Sequence, residues 1–288
     1  MITFINDNQH NLIPLNTEIL YFEDTGDKLI GNITITDFDD PRMHNYSRAT
    51  VRLINATTLE LLRIIPSSLP HGIYLDSSNS TTLNFVGSAN LSQYSHLLSS
   101  IYYRNNIEEP GVATRTVVYS LSDADFTSTT EVVISIIPRN DAPVIHNSLE
   151  SVIYNEENRE TLRLTNDNFT IIDTDSVQLQ SATIIIGNVK PGDLLSLNLS
   201  QSFEFESSYS DSTGLLDIKG NGTLTDYSQF LQSATFVNLN QNISPEDRYI
   251  EFTVTDAEGA TSETVTLVLT IITFDDPPIC FSDIIVSS

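Results

Sequence analysis

Arg115-Thr-Val-Val-Tyr-Ser-Leu-Ser-Asp-Ala-Asp125 returns 133 residues later as Arg248-Tyr-Ile-Glu-Phe-Thr-Val-Thr-Asp-Ala-Glu258. In the second copy Ile250, Phe252 and Val254 fall on one side and polar residues on the other, the two-residue period of a half-buried strand. Each copy opens on an arginine and closes on an acid, an alanine and an acid. A long strand ending in an acidic turn, repeated at this distance, points to a duplicated β domain.

The match extends outward in both directions. Leu20-Tyr-Phe-Glu23 returns as Ile153-Tyr-Asn-Glu156, and Asn32-Ile-Thr-Ile-Thr-Asp-Phe-Asp39 as Asn168-Phe-Thr-Ile-Ile-Asp-Thr-Asp175. Leu83-Asn-Phe-Val-Gly87 matches Leu216-Asp-Ile-Lys-Gly220, and Leu91–Leu98 matches Leu224–Leu231. The order and spacing hold over nearly the whole chain. Each copy ends in an acidic, proline-containing joint, Ile137-Pro-Arg-Asn-Asp-Ala-Pro143 and then Thr273-Phe-Asp-Asp-Pro-Pro278. Proline lacks a donor and fixes the backbone, so it ends sheet pairing there. The expected domains are 1–140 and 141–277, with 278–288 the start of a further repeat or a strand passed between subunits.

Alternation and punctuation predict strands in the second copy near 151–155, 168–173, 181–187, 194–199, 214–219, 233–238, 248–255 and 263–272. One stretch breaks the rule. Leu224, Tyr227, Phe230 and Leu231 have helical spacing after Gly220-Asn-Gly222, which predicts a short helical crossover at one end of a sandwich. The fold expected is all-β: two tandem Greek-key sandwiches in a linear rod.

The composition excludes several function classes. Thirty-eight acidic residues against 13 basic give a formal charge of −25, shared unevenly: 8 basic and 16 acidic side chains in 1–141, 5 and 22 beyond. With no basic stripe, nucleic acid and anionic membrane surfaces are repelled. The longest apolar runs, such as Val265–Ile272, are too short to cross a bilayer. The single cysteine, Cys280, leaves no internal disulfide, so its role is that of a buried or unpaired thiol or of a link between chains. The start of the chain has no basic region and long apolar core of a secretory leader, so an extracellular location requires a mature or excised segment. The histidines, His10, His44, His71, His96 and His146, are scattered, and no nucleophile elbow or phosphate loop appears, so no enzyme is expected.

The run of strand, Asp-x-Asp, Gly-x-Leu-x-x-Tyr crossover, Arg-led strand ending in Asp, and Asn-Asp-Ala-Pro joint resembles cadherin-like tandem repeats of large surface adhesins. It is more distantly similar to chondroitin-sulfate-proteoglycan-type repeats. The resemblance covers roughly residues 4–278. Classical cadherin repeats are shorter and have stricter linkers, so homophilic adhesion does not transfer.

The resemblance implies calcium at the joints. Calcium takes six to eight oxygen ligands, so several carboxylates must converge. In a Greek-key sandwich the turn after the second strand and the last hairpin lie at the end where the chain comes in. Asp173, Asp175, Asp256 and Glu258 are therefore expected to face Asn140 and Asp141, with Glu23 directed toward the same joint as the first-strand glutamate of family members is. Asp7, Asp37, Asp39, Asp123 and Asp125 form the equivalent set of the first copy. The competing reading is that these acids make local turn hydrogen bonds and stay wet. Asn-x-Ser/Thr sequons at Asn32, Asn45, Asn55, Asn79, Asn90, Asn168, Asn198, Asn221 and Asn242 are candidate N-glycan sites. The expected function is that of an extracellular or cell-surface structural and adhesive segment between flanking repeats, with calcium stiffening its joints. The alternative is the protomer of a self-assembling glycosylated fibre, in which identical subunits join end to end through their terminal segments.

Overall fold

The computed structural model describes residues 10–37, 46–123, 126–157, 159–197 and 205–274. The remaining positions include Asp7, Asp39, Asp125, Asn45, Asn198, Cys280 and the segment 278–288, and the expectations placed on them lie outside the described residues. The chain divides into two compact units, Met1–Arg139 and Asn140–Ser288.

Unit 1 contains β1 (His10–Pro14), β2 (Glu18–Phe22), β3 (Lys28–Leu29), β4 (Ile33–Asp37), β5 (Tyr46–Ile54) and β6 (Glu60–Ile64). After a 3-10 turn come β7 (Tyr74–Asn79), β8 (Thr82–Ala89), α1 (Leu91–Leu98), β9 (Ile101–Asn105), β10 (Arg115–Ser122) and β11 (Thr127–Ile137). Its main sheet has the order β2-β11-β10-β5-β8-β7, with smaller sheets β3-β9-β6 and β1-β4. The pairing is antiparallel except for β2, which runs parallel to β11. The alternation seen in sequence becomes the core. Val117, Tyr119 and Leu121 of β10 point inward with Val51 and Leu53 of β5 and Phe85 of β8. Ile101 and Tyr103 of β9 and Leu97 and Leu98 of α1 belong to the same buried cluster, so two layers close on one core.

Unit 2 repeats this plan. It contains β12 (Val144–His146), β13 (Ser151–Asn155), β14 (Leu162–Arg163), β15 (Thr170–Ile172), β16 (Gln178–Ile186) and β17 (Asp193–Ser196). These are followed by β18 (Glu206–Ser210), β19 (Leu215–Thr223), α2 (Leu224–Leu231), β20 (Thr235–Asn238), β21 (Arg248–Asp256) and β22 (Val265–Ile272). The sheet orders are β13-β22-β21-β16-β19-β18, β14-β20-β17 and β12-β15, the same topology strand for strand. Both units are all-β sandwiches with one helical crossover.

The crossovers form where the helical spacing placed them. Each begins with a capping box, Asn90 with Gln93 and Thr223 with Asp226, which satisfies two otherwise orphan donors. Tyr94 then donates to the Gly87 carbonyl and Tyr227 to that of Gly220, tying helix to strand. The glycines are required. Gly87 sits at φ +149°, and a Cβ there would lie 2.0 Å from the Gly72 carbonyl oxygen.

Candidate functional site

The corner of unit 2 that receives the incoming chain is built by three segments: Asn140-Asp141 ahead of β12, the turn Asp173–Ser176 after β15, and the hairpin between β21 and β22. Asp256 closes β21 and is wholly buried. Its Oδ1 accepts the Gly259 and Ala260 amides at 2.6 and 2.9 Å, and its Oδ2 accepts Asn140 Nδ2 at 2.7 Å. Asp175 Oδ2 accepts the Asp141 amide at 3.0 Å. Asp173 Oδ1 caps its own turn, accepting the Asp175 and Ser176 amides at 3.3 and 3.2 Å. Ser176 Oγ donates to Glu258 Oε2 at 3.1 Å, which joins turn to hairpin. Six residues expected at this corner thus come together in one hydrogen-bonded set.

The acids are not equivalent within it. Both oxygens of Asp256 are taken by donors that shape the hairpin and anchor Asn140, so its local role is structural. Asp173 Oδ2, by contrast, is buried with no hydrogen-bond partner. Burial, together with the nearby Asp175 carboxyl, pushes the Asp173 carboxyl up to about 6. Those two carboxyls can bond each other only when one carries the proton. When both are ionised, two negative groups stand close together and one of their oxygens has no donor, and a hard cation would answer both. Among the described residues, no group of three or more His, Cys, Asp or Glu side chains is close enough to hold a metal by itself. Any cation here would therefore rest on the Asp173–Asp175 pair, with the remaining oxygens drawn from carbonyls and water.

In unit 1, Asp37 ends β4 and pairs in register with His10. Asp123 Oδ1 accepts the Phe126 amide at 2.7 Å, the counterpart of the Asp256 to Gly259 bond. His10, almost fully buried, brings Nδ1 to 3.6 Å from Asp123 Oδ2, while its Nε2 lies 2.9 Å from the Leu121 carbonyl oxygen. Its ring meets Tyr46 and Phe126 edge-on at 5.0 and 5.7 Å. Among the described residues, an imidazole thus approaches Asp123 and a side-chain amide donates to Asp256. Nothing in the spacing of the five histidines signals this, because the contact spans 113 residues.

Glu23 is also buried. Its Oε2 accepts the Arg139 amide at 2.9 Å, and its equivalent Glu156 accepts the Ile243 and Phe274 amides at 3.2 and 3.1 Å. In both units this glutamate, which directly follows the second strand, β2 or β13, and not the first as expected, holds the chain as it leaves the last strand.

Of the sequons within the described residues, Asn32, Asn79, Asn90, Asn168, Asn221 and Asn242 are exposed. Asn55 is exposed too, at φ +61°. Asn79 Oδ1 accepts the amide and hydroxyl of Thr81, and Asn90 caps α1.

A second repeat-equivalent set went unread in the sequence: the arginine that opens each long strand. Arg115 Nε binds Glu60 at 2.7 and 2.9 Å, and Arg248 Nε binds Asp193 at 2.6 Å, all four side chains nearly or wholly inaccessible. Tyr103 completes the first cluster by donating to Glu60 at 2.5 Å; Phe236 has no hydroxyl to do so, and Asn238 Nδ2 donates to Asp193 at 2.8 Å instead. Burial alone would raise the Glu60 carboxyl, but hydrogen bonds from Arg115, Tyr103 and the Thr57 amide outweigh it and hold it below its usual range. These clusters are fully satisfied and closed to solvent, so they serve the fold.

No family model matches this chain, and no curated protein is similar to it. Solved structures resemble it weakly. Human protocadherin-24 EC1-2 is 14% identical, with a TM-score of 0.34, over 92% of this chain and 99% of its own. The titin domains Z1Z2 in complex with telethonin are 9% identical, with a TM-score of 0.25, over 92% and 97%. Drosophila N-cadherin EC1-3 is 11% identical, with a TM-score of 0.21, over 93% and 68%. At these values the likeness carries no argument about what the chain does.

Proposed function

We propose that this chain is an extracellular structural and adhesive repeat segment, continued at its ends by flanking repeats or identical subunits, and that the incoming corner of repeat 2 binds calcium. The observation that carries the calcium reading is the buried, donorless Asp173 Oδ2 beside the Asp175 carboxyl. Asp173 and Asp175 would hold the ion, with Asp141 and Glu258 nearest in the hydrogen-bonded set; Asp256 and Asn140 keep the hairpin and the incoming segment in place. Calcium would supply two positive charges and a flexible oxygen-rich shell to a corner that otherwise leaves two carboxylates opposed. The corner's own residues already do the orienting: the Asp141 amide is bound to Asp175, and the Ser176 hydroxyl to Glu258.

Few carboxylates and wet neighbours put the affinity in the weak range of extracellular modules, with a dissociation constant on the order of 10⁻⁴ to 10⁻³ M. Isothermal titration with calcium chloride tests this. Wild-type protein is expected to bind in that range, and Asp173→Asn to lose the heat of binding while keeping its circular dichroism. Absence of any calcium heat in folded wild type sinks the reading.

A further inference from the structure

We propose that an N-linked glycan on Asn32 lies in a groove of mixed apolar and polar walls along the flank of repeat 1, which serves as that glycan's own binding site. The proposal rests on the extracellular reading only in requiring passage through a glycosylating secretory route. The groove, of about 510 Å³, opens between β2 and β3, which have an unpaired edge among the described residues. These are the outer strands of the six-stranded and three-stranded sheets. Leu20 and Phe22 of β2 and Leu29 of β3 line it, and are 48%, 44% and 47% exposed. Among the described residues these three large apolar side chains cluster at a sheet edge without a cover, and such a cluster calls for one. Glu18 and Lys28 are polar members of the same wall.

Asn32 lines the groove too. Its sequon, Asn32-Ile33-Thr34, alternates in the favourable sense: Ile33 is buried in the core, while Asn32 and Thr34 face solvent. A sugar attached there begins at the groove's wall, so its contact with the groove is intramolecular and only its own ordering opposes it. A pyranose carries an apolar CH face and a rim of hydroxyls, which complements aliphatic and aromatic walls with charged groups among them. In the transfer itself, Asn32 Nδ2 forms a bond to the anomeric carbon of an oligosaccharide held on a lipid diphosphate. The carbon–oxygen bond to the diphosphate breaks with its electron pair, and one amide proton is released.

Repeat 2 provides an internal comparison. Asn168-Phe169-Thr170 stands at the equivalent position with the same alternation of burial. The matching hollow is only about 130 Å³, however, its walls include Ile153 and Asn155 where repeat 1 has Leu20 and Phe22, and Asn168 is not among them. A glycan on Asn168 has no such cradle.

The test uses the full chain secreted from a glycosylating mammalian cell line, with occupancy mapped by peptide mass spectrometry. Native protein is then treated with an amidase that releases N-glycans. Release at Asn32 is expected to be about tenfold slower than at Asn168, a protection equal to burying a modest apolar contact. Phe22→Ser, which strips the groove and keeps the sequon, is expected to bring the two rates together. Equal rates in wild type overturn the proposal, as does an unmodified Asn32, whether or not Asn168 is occupied. Neither result bears on the calcium site, which titration of unglycosylated protein reads separately.

Discussion

Tyr119 is completely buried in the core of repeat 1, and its hydroxyl has no hydrogen-bond partner. Burial pushes its ionisation well above the usual range, so it stays a neutral phenol with an unmet donor. At the equivalent place repeat 2 has Phe252, also fully buried. Tyr119→Phe is therefore expected to stabilise repeat 1 by roughly 1–2 kcal/mol, seen as a higher midpoint in urea; a loss of stability would show that the hydroxyl is satisfied. Asp173 makes a prediction of opposite character. Its folded-state carboxyl, at about 6, lies above its unfolded value near 3.9, so the folded state holds the proton more tightly. The stabilisation from that proton is complete below about pH 4 and is lost as pH rises through 6. In chelator, melts of repeat 2 are expected to weaken between pH 5 and 7, and Asp173→Asn to flatten that slope. An unchanged slope in the variant would remove Asp173 from the account. None of this was legible in sequence, where Asp173 and Asp256 look alike; the difference lies in which oxygens the folded turn leaves without donors.

At the scale of elements, the buried arginine clusters set the joint between β10 or β21 and the loop ahead of the facing sheet. Arg248→Met leaves Asp193 charged and buried without its cation, and is expected to cost about 3–5 kcal/mol. Pairing it with Asp193→Leu should recover much of that loss in equilibrium unfolding. If the double variant is no better than the single one, the charge itself is not what matters there. The clusters escaped the sequence reading because each pair is separated by 55 residues, and nothing local in a strand-opening arginine announces burial. Elements with a period were legible. The crossover expected at Leu224–Leu231 is α2 over those same residues, since its apolar face and capping box agree. Strands β13 and β21 fall within a residue of their expected limits. The missed strands have weak periods: β18, Glu206–Ser210, has no buried residue, while β12 and β14 are three and two residues long. Their pairing comes from neighbours in space, which a one-dimensional pattern does not carry.

At the scale of the molecule, duplication was the strongest sequence signal, and it survives as two topologically identical sandwiches with separate cores. The comparison between copies separates shared architecture from local difference. Both keep the glutamate that follows β2 or β13, the helical crossover, the buried arginine and the hairpin aspartate. Among the described residues, His10 approaches that aspartate in repeat 1 and Asn140 donates to it in repeat 2. The central claim is that the corner of repeat 2 is a calcium site and not merely a set of capped turns. The most direct measurement is a pair of thermal melts of wild type and Asp173→Asn at pH 7, in 10 mM calcium and in excess chelator. At ten to a hundred times the expected dissociation constant, calcium should stabilise wild type by about 1.4–2.7 kcal/mol, raising its melting temperature by several degrees, and leave the variant unmoved. Wild-type melts that superimpose in calcium and chelator would contradict the account.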